Sequence, residues 1–235
     1  MNDEESPRRS DADAAAAALA ERRHDVIETC ELIESTITSL PLDQATFRRF
    51  ATAVERSPET ASTHFPHSVA TWYAQSVLVR LRTLGDRDKK SHSMYALLAR
   101  MKARPEDWTL AAIVELWDDG GHPYPPETLL FLAKSSYKFC ADASGTAVDV
   151  ARLDADLQRL ETALDTVKLI VDRTIAHVDR RGANDATITY DQVREAINEC
   201  EKIALPYIAL LTGRGYSSLT PVEQTDWWTI FDSWR

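Results

Sequence analysis

An all-α helical bundle is the fold class that the sequence predicts, and three features predict it. Glycine is scarce, 7 in 235 residues, about half the average usage, and sheets draw on glycine for hairpin turns and bulges. Leu153, Leu157, Leu160, Leu164, Val167, Val171 and Val178 recur in steps of four and three, missing only Thr174. That is a heptad seam, the pattern of a long bundle helix. No run alternates strand and helix in βαβ fashion, and no internal repeat is present, so a layered bundle remains.

The elements follow in order. Residues 1–10 are polar and are expected to be disordered, and 11–235 to form a single domain. Helical patterning begins near Asp11, with Val26, Cys30, Ile33 and Ile37 along one stripe. Pro41 is expected to end it, and Asp43 to cap a second helix that stops before Pro58. A helix from Ser68 to Leu84 follows, stopped by Gly85. Ser91 or Ser93 caps "MYALLARMKA", and "PEDWTLAAIVELWDD" is a further short helix. "TLLFLAKSSYKFCADASG" is ambiguous. The seam helix is expected to run from Ala147 to Arg181. Thr189 or Asp191 opens the next helix, which reaches Gly213 with Pro206 as a kink. Thr220, Pro221 and Glu223 mark the start of a closing helix that carries Trp227, Trp228, Phe231 and Trp234.

The net charge of -10 argues against a general nucleic-acid binder. The segment Arg80–Arg104 departs from it. Arg80, Arg82, Arg87, Lys89, Lys90, Arg100, Lys102 and Arg104 face only Asp86 and Asp88. The plainer expectation pairs these cations with the chain's own acidic helices, and the alternative is a local basic face. Cys30, Cys140 and Cys200 are far apart and form no C-x-x-C, which suits buried, reduced thiols in a cytoplasmic protein. No apolar window is long enough to span a membrane, and the acidic, alanine-rich start is not a signal peptide. Gly-rich phosphate loops, H-E-x-x-H and G-x-S-x-G motifs are missing. Asp86 with Asp88, and Asp118 with Asp119 and His122, read as solvated turns, so neither a metal nor a cofactor is expected. His64, His67 and His92 read as surface residues.

The stretch "VDRTIAHVDRR", Val171–Arg181, holds a histidine among arginines. Four residues apart on a helix, Arg173 and His177 share a face. A histidine can move a proton near neutral pH and an arginine can grip a phosphate. Together they suit metal-free cleavage of RNA. The plainer expectation is a C-terminal helix histidine favoured by the helix dipole, with its arginines paired to Asp172 and Asp179.

Three segments resemble the HEPN superfamily in its abortive-infection, AbiU-like branch. The first is "WYAQSVLVRLRTLGDRDKKSHSMYALLARM", Trp72–Met101. The second is "VDRTIAHVDRR", similar to R-D-K-x-I-A-H-x-D. The third runs from Thr189 through "LTPVEQTDWWTIFDSW" to Trp234. The resemblance implies a HEPN-type bundle, a homodimer through the long helix, and a role in phage defence or a toxin–antitoxin pair, with RNA or an antitoxin as partner. It also implies a metal-independent ribonuclease built on R-x(4–6)-H, in which a polar residue follows the arginine. His177 matches the histidine, Asp172 the polar residue and Asp179 a flanking position; Arg180 and Arg181 follow as substrate-binding candidates. The arginine falls on Val171. Arg173 gives only R-x3-H, so it either substitutes or the module binds a protein, nucleotide or RNA without cutting. Asp179 stands where a branch regulated by tyrosine modification carries its tyrosine, so that regulation is not expected.

Overall fold

A computed structural model of the chain describes residues 5–119, 123–175 and 188–216. Eight α-helices form the described part, with no strand among the described residues and one isolated antiparallel bridge, Ala141 to Val148. They are α1 (Glu5–Glu55), α2 (Pro58–Ala61), α3 (Phe65–Leu84), α4 (Met94–Ala103), α5 (Leu110–Asp119), α6 (Pro126–Tyr137), α7 (Val150–Ile170) and α8 (Tyr190–Thr212). A 3-10 turn, Pro105–Asp107, precedes α5, and a π-helical turn, Val171–Ile175, continues α7. None of the described helices is long and apolar enough to cross a membrane.

Pro41 does not divide the first helix: α1 runs through it. A proline inside a helix costs about 3 kcal/mol through its missing N–H and its clash with the carbonyl four residues back. Ile33, Ile37 and Leu40 before it and Phe50 after it are buried. Each such side chain contributes about 1.5–3 kcal/mol, so the burial on both sides outweighs the proline. Hydroxyls just upstream donate back to the helix carbonyls, Thr36 Oγ1 to Leu32 O at 2.9 Å, Thr38 Oγ1 to Glu34 O at 2.8 Å and Ser39 Oγ to Thr36 O at 2.8 Å. Such bonds accommodate a bend. Asp43, expected as a cap, instead pairs with Arg80 of α3.

Other starts and stops follow the local chemistry. Ser93 caps α4: its Oγ accepts from Ala96 N at 3.0 Å and donates to Asp86 O at 2.6 Å. Replacing it with alanine is expected to cost about 1–2 kcal/mol in chemical denaturation. Thr189 and Gln192 form a capping box at the start of α8, and Gly213, at φ 68°, closes it in the left-handed region. Pro206 lies inside α8 without ending it. The ambiguous segment before the seam helix is α6, held by the Tyr137 hydroxyl donating to Trp108 O at 3.1 Å.

α7 packs against α8, α4 and α3, and α1 against α8, α3 and α4. Leu153, Leu157, Leu160, Leu164, Val167 and Val171 are all buried in this one-chain core. The described part of the seam is therefore filled by the chain's own helices, and Val178 lies outside the described residues. Gly85 is required at its place for a different reason than helix stopping alone. A Cβ there would lie 2.8 Å from Leu164 Cδ1, well inside contact distance, because the end of α3 is pressed against α7. Gly85→Ala is expected to destabilise the fold by about 1–3 kcal/mol through overpacking, read as a lowered denaturation midpoint with an unchanged slope.

Candidate functional site

The seam and the motif meet at the end of α7. The regular ladder runs to Ile170, and the N–H of Val171 points at both Lys168 O and Val167 O. From Val171 to Ile175 the backbone takes the wider i→i+5 spacing of a π turn, a device common at functional sites. The turn covers the place where the heptad pattern lapses, at Thr174. A π turn takes in one extra residue relative to the α-helical ladder. Of the helix that the periodicity predicts from Ala147 to Arg181, the described part is regular over Val150–Ile170 and π-helical over Val171–Ile175, and residues 176–181 lie outside the described residues.

Within this turn the three described motif residues separate. Val171 is 5% exposed and belongs to the core. Asp172 is half-buried and Arg173 is exposed. Arg82 Nε, from α3, donates to Asp172 Oδ1 at 3.1 Å, and Arg82 Nη1 lies 3.9 Å from Asp86 Oδ1. Arg173 has no ion-pair partner among the described residues, so the pairing with Asp172 expected of it is taken by Arg82 instead. His177, Asp179, Arg180 and Arg181 lie outside the described residues, as does the closing helix predicted after Thr220.

The basic segment is largely neutralised by the chain itself. Arg80 pairs with Asp43 and donates to Ser39 Oγ at 2.8 Å. Arg87 reaches Glu161 at 2.7 Å and lies 5.4 Å from the Tyr95 ring centroid. Arg100 contacts Asp25 at 2.9 Å and donates to Thr29 Oγ1 and Lys89 O. Lys102 pairs with Asp154. Lys89, Lys90 and Arg104 remain without an ion-pair partner among the described residues. The expected D-x-D is a turn device: Asp86 Oδ1 accepts from Asp88 N at 3.2 Å, and Asp88 Oδ1 from Lys90 N at 3.0 Å.

The cavity beside this cluster is about 30 Å³, between the end of α3 and α7, lined by Arg82, Gly85, Arg87, Tyr95, Glu161 and Lys168 among others. That is the volume of one water. It does not enclose a nucleotide. Larger grooves lie elsewhere, one of about 680 Å³ between α7 and α8 and one of about 380 Å³ between α1 and α3. The cysteines supply no nucleophile here. All three are buried, and burial above all pushes each thiol up to about 12, which keeps them protonated and inert at neutral pH. His64, His67 and His92 are exposed; His92 Nδ1 is 3.0 Å from Thr29 Oγ1.

Arg82 is the residue that sequence reasoning passed over. It was one cation among eight, and nothing local marks it as a neighbour of a residue 90 positions later. A family model described as HEPN_AbiU2 (AbiU2) matches residues 31–229. No curated protein and no solved structure matches.

Proposed function

The chain belongs to the HEPN_AbiU2 family, and from that premise we propose that it is a HEPN-type abortive-infection protein that acts on RNA as a metal-independent endoribonuclease. The observation that carries this reading is the sorting of the motif turn: Val171 enters the core while Asp172 and Arg173 stand on its outer side. His177 handles the proton. The 2′-oxygen of a ribose attacks the adjacent phosphorus and loses its proton, while the bond to the 5′-oxygen breaks and that oxygen gains one. The products are a 2′,3′-cyclic phosphate and a 5′-hydroxyl. Arg173 stabilises the phosphate charge, Asp172 orients the site, and Arg180 and Arg181 hold the flanking backbone.

Incubation with total or transfer RNA in excess chelator tests this. Cleavage by wild type that is lost in His177→Ala and reduced in Arg173→Ala is expected. If all three leave RNA equally intact, the ribonuclease reading fails.

A second reading is supported by one observation. Val171, which the resemblance aligns with the motif's arginine, is buried at 5% exposure. On that reading the module binds RNA, a nucleotide or a protein such as an antitoxin without cleaving. A homodimer belongs to either reading. With the described part of the seam internal, the face of the long helix that it would use is the α7–α8 groove, which includes Ala155, Thr162, Ala163 and Thr166.

A further inference from the structure

The motif's arginine position is filled by a side chain that cannot carry charge there. Val171 is packed in the core, and an arginine in its place would bury an unpaired cation at a cost of several kcal/mol. The turn is not without a cation, however. Arg82 reaches it from α3, and the way it is held differs from the other arginines of its segment. Arg80 is tied to Asp43 and Ser39, Arg87 to Glu161 and the Tyr95 ring, and Arg100 to Asp25, Thr29 and two backbone carbonyls. Among the described residues, Arg82 makes one short hydrogen bond, through Nε, to Asp172, and its other charged contact is the 3.9 Å approach of Nη1 to Asp86. The side chain is 26% exposed, so part of it meets solvent. A guanidinium fixed through Nε, with Nη donors to spare, has the fork geometry that binds a phosphate through paired hydrogen bonds.

We propose that Arg82 supplies, from α3, the phosphate-binding cation that the R-x(4–6)-H pattern would otherwise place at Val171, and that its ligand is a phosphodiester of single-stranded RNA. This rests on the reading of the site as RNA-directed. Asp172 acts on it as a positioning residue: it holds the guanidinium plane against the motif turn, where a backbone phosphate passes.

The test is a salt titration of binding to a fluorescein-labelled uridine oligonucleotide, in a His177→Ala background so that cleavage plays no part. Each phosphate contact contributes about 0.7 to the slope of log K against log salt for a single strand. Arg82→Gln is expected to flatten the slope by about that amount. Arg80→Gln, which removes the same charge from the same helix, is expected to leave it unchanged. Arg82→Lys keeps the charge, which sets the slope, but not the fork, and is expected to retain the slope at a weaker affinity. It also serves if the glutamine variant does not fold. The proposal is overturned if Arg82→Gln keeps the parent slope, or if Arg80→Gln flattens it equally. It is also overturned if Arg82→Lys loses as much as glutamine does, since a structural clamp on Asp172 has that signature. Loss of RNA binding by the parent itself overturns both this proposal and the RNA-directed reading. A slope that responds to Arg82 in a protein whose wild type leaves RNA intact removes the ribonuclease reading alone.

Discussion

His177→Ala is expected to lower RNA cleavage by about 10²–10⁴-fold, the range that a positioned general acid or base contributes, while RNA affinity changes only a few-fold. The split matters because the two readings of this site differ in it. A histidine that moves a proton acts in the transition state, so its loss falls on the rate at saturating RNA. A histidine that only contacts RNA acts on binding, so its loss falls on the apparent affinity and vanishes at saturation. The measurement is single-turnover cleavage with protein in excess, paired with binding of an uncleavable 2′-deoxy oligonucleotide. A variant that weakens binding and restores the full rate at high protein concentration would favour the non-cleaving module. In cells, a catalytic His177 predicts that the alanine variant loses whatever biological effect the wild type has, whereas a binding module keeps it.

Caps and stops were legible in the sequence because they are decided within four or five residues. Ser93, Gly85, Thr189 with Gln192, and Gly213 all do what their local chemistry predicts. One reading failed where tertiary packing overrode the local signal. Pro41 reads as a helix end, yet Ile33, Ile37, Leu40 and Phe50 are buried on both sides of it and the helix continues. The seam reads as the buried stripe of a bundle helix, and its described residues, Leu153 to Val171, lie in the chain's own core. Periodicity reports that a stripe is buried and leaves open what buries it. The lapse at Thr174 was visible as a missing hydrophobe, but its meaning was not, because a π turn and a polar seam position look alike in a residue string. The candidate site divides the same way. Arg173 was marked by its spacing to His177, and Asp172 by the resemblance to the family motif. The contact of Asp172 with Arg82 spans 90 residues and depends on how α3 lies on α7, which no local pattern encodes.

Asp156→Ala is expected to destabilise the protein by about 3–5 kcal/mol, the cost of removing one partner from a buried charged cluster. That is a large share of the 5–15 kcal/mol by which domains of this kind are stable. Asp156 sits on α7 with its side chain 5% exposed, one residue before the seam position Leu157. Its carboxylate accepts from the Tyr207 hydroxyl of α8 at 2.8 Å and from Arg159 Nη1 at 2.7 Å, and Arg152 Nε lies 3.7 Å away. Burial, and then the carboxylate beside it, push the Tyr207 hydroxyl well above the ordinary phenol range, so it remains a donor at any physiological pH. Removing the carboxylate affects these neighbours unequally. Arg159 keeps Glu199 at 2.6 Å. Tyr207, among the largest fully buried side chains, is left with an unsatisfied donor, and Arg152 Nε, already buried without a hydrogen bond, loses its nearest anion. Tyr207→Phe removes the donor along with its bond and is expected to cost less, about 1.5–3 kcal/mol. Combining Asp156→Ala with Tyr207→Phe is expected to cost less than the sum of the two, because the orphaned hydroxyl is gone. Urea denaturation of the two single variants and the double variant checks the order and the coupling. Equal costs for the two singles, or strict additivity, would mean that Asp156 answers mainly to its arginines and that the tie between α7 and α8 lies elsewhere. The same cluster was faintly present in the sequence: an aspartate next to a seam leucine, with arginines four residues before and three after it, is a helix-face pattern for a paired charge. Its burial, and its partner on α8, came only with the fold.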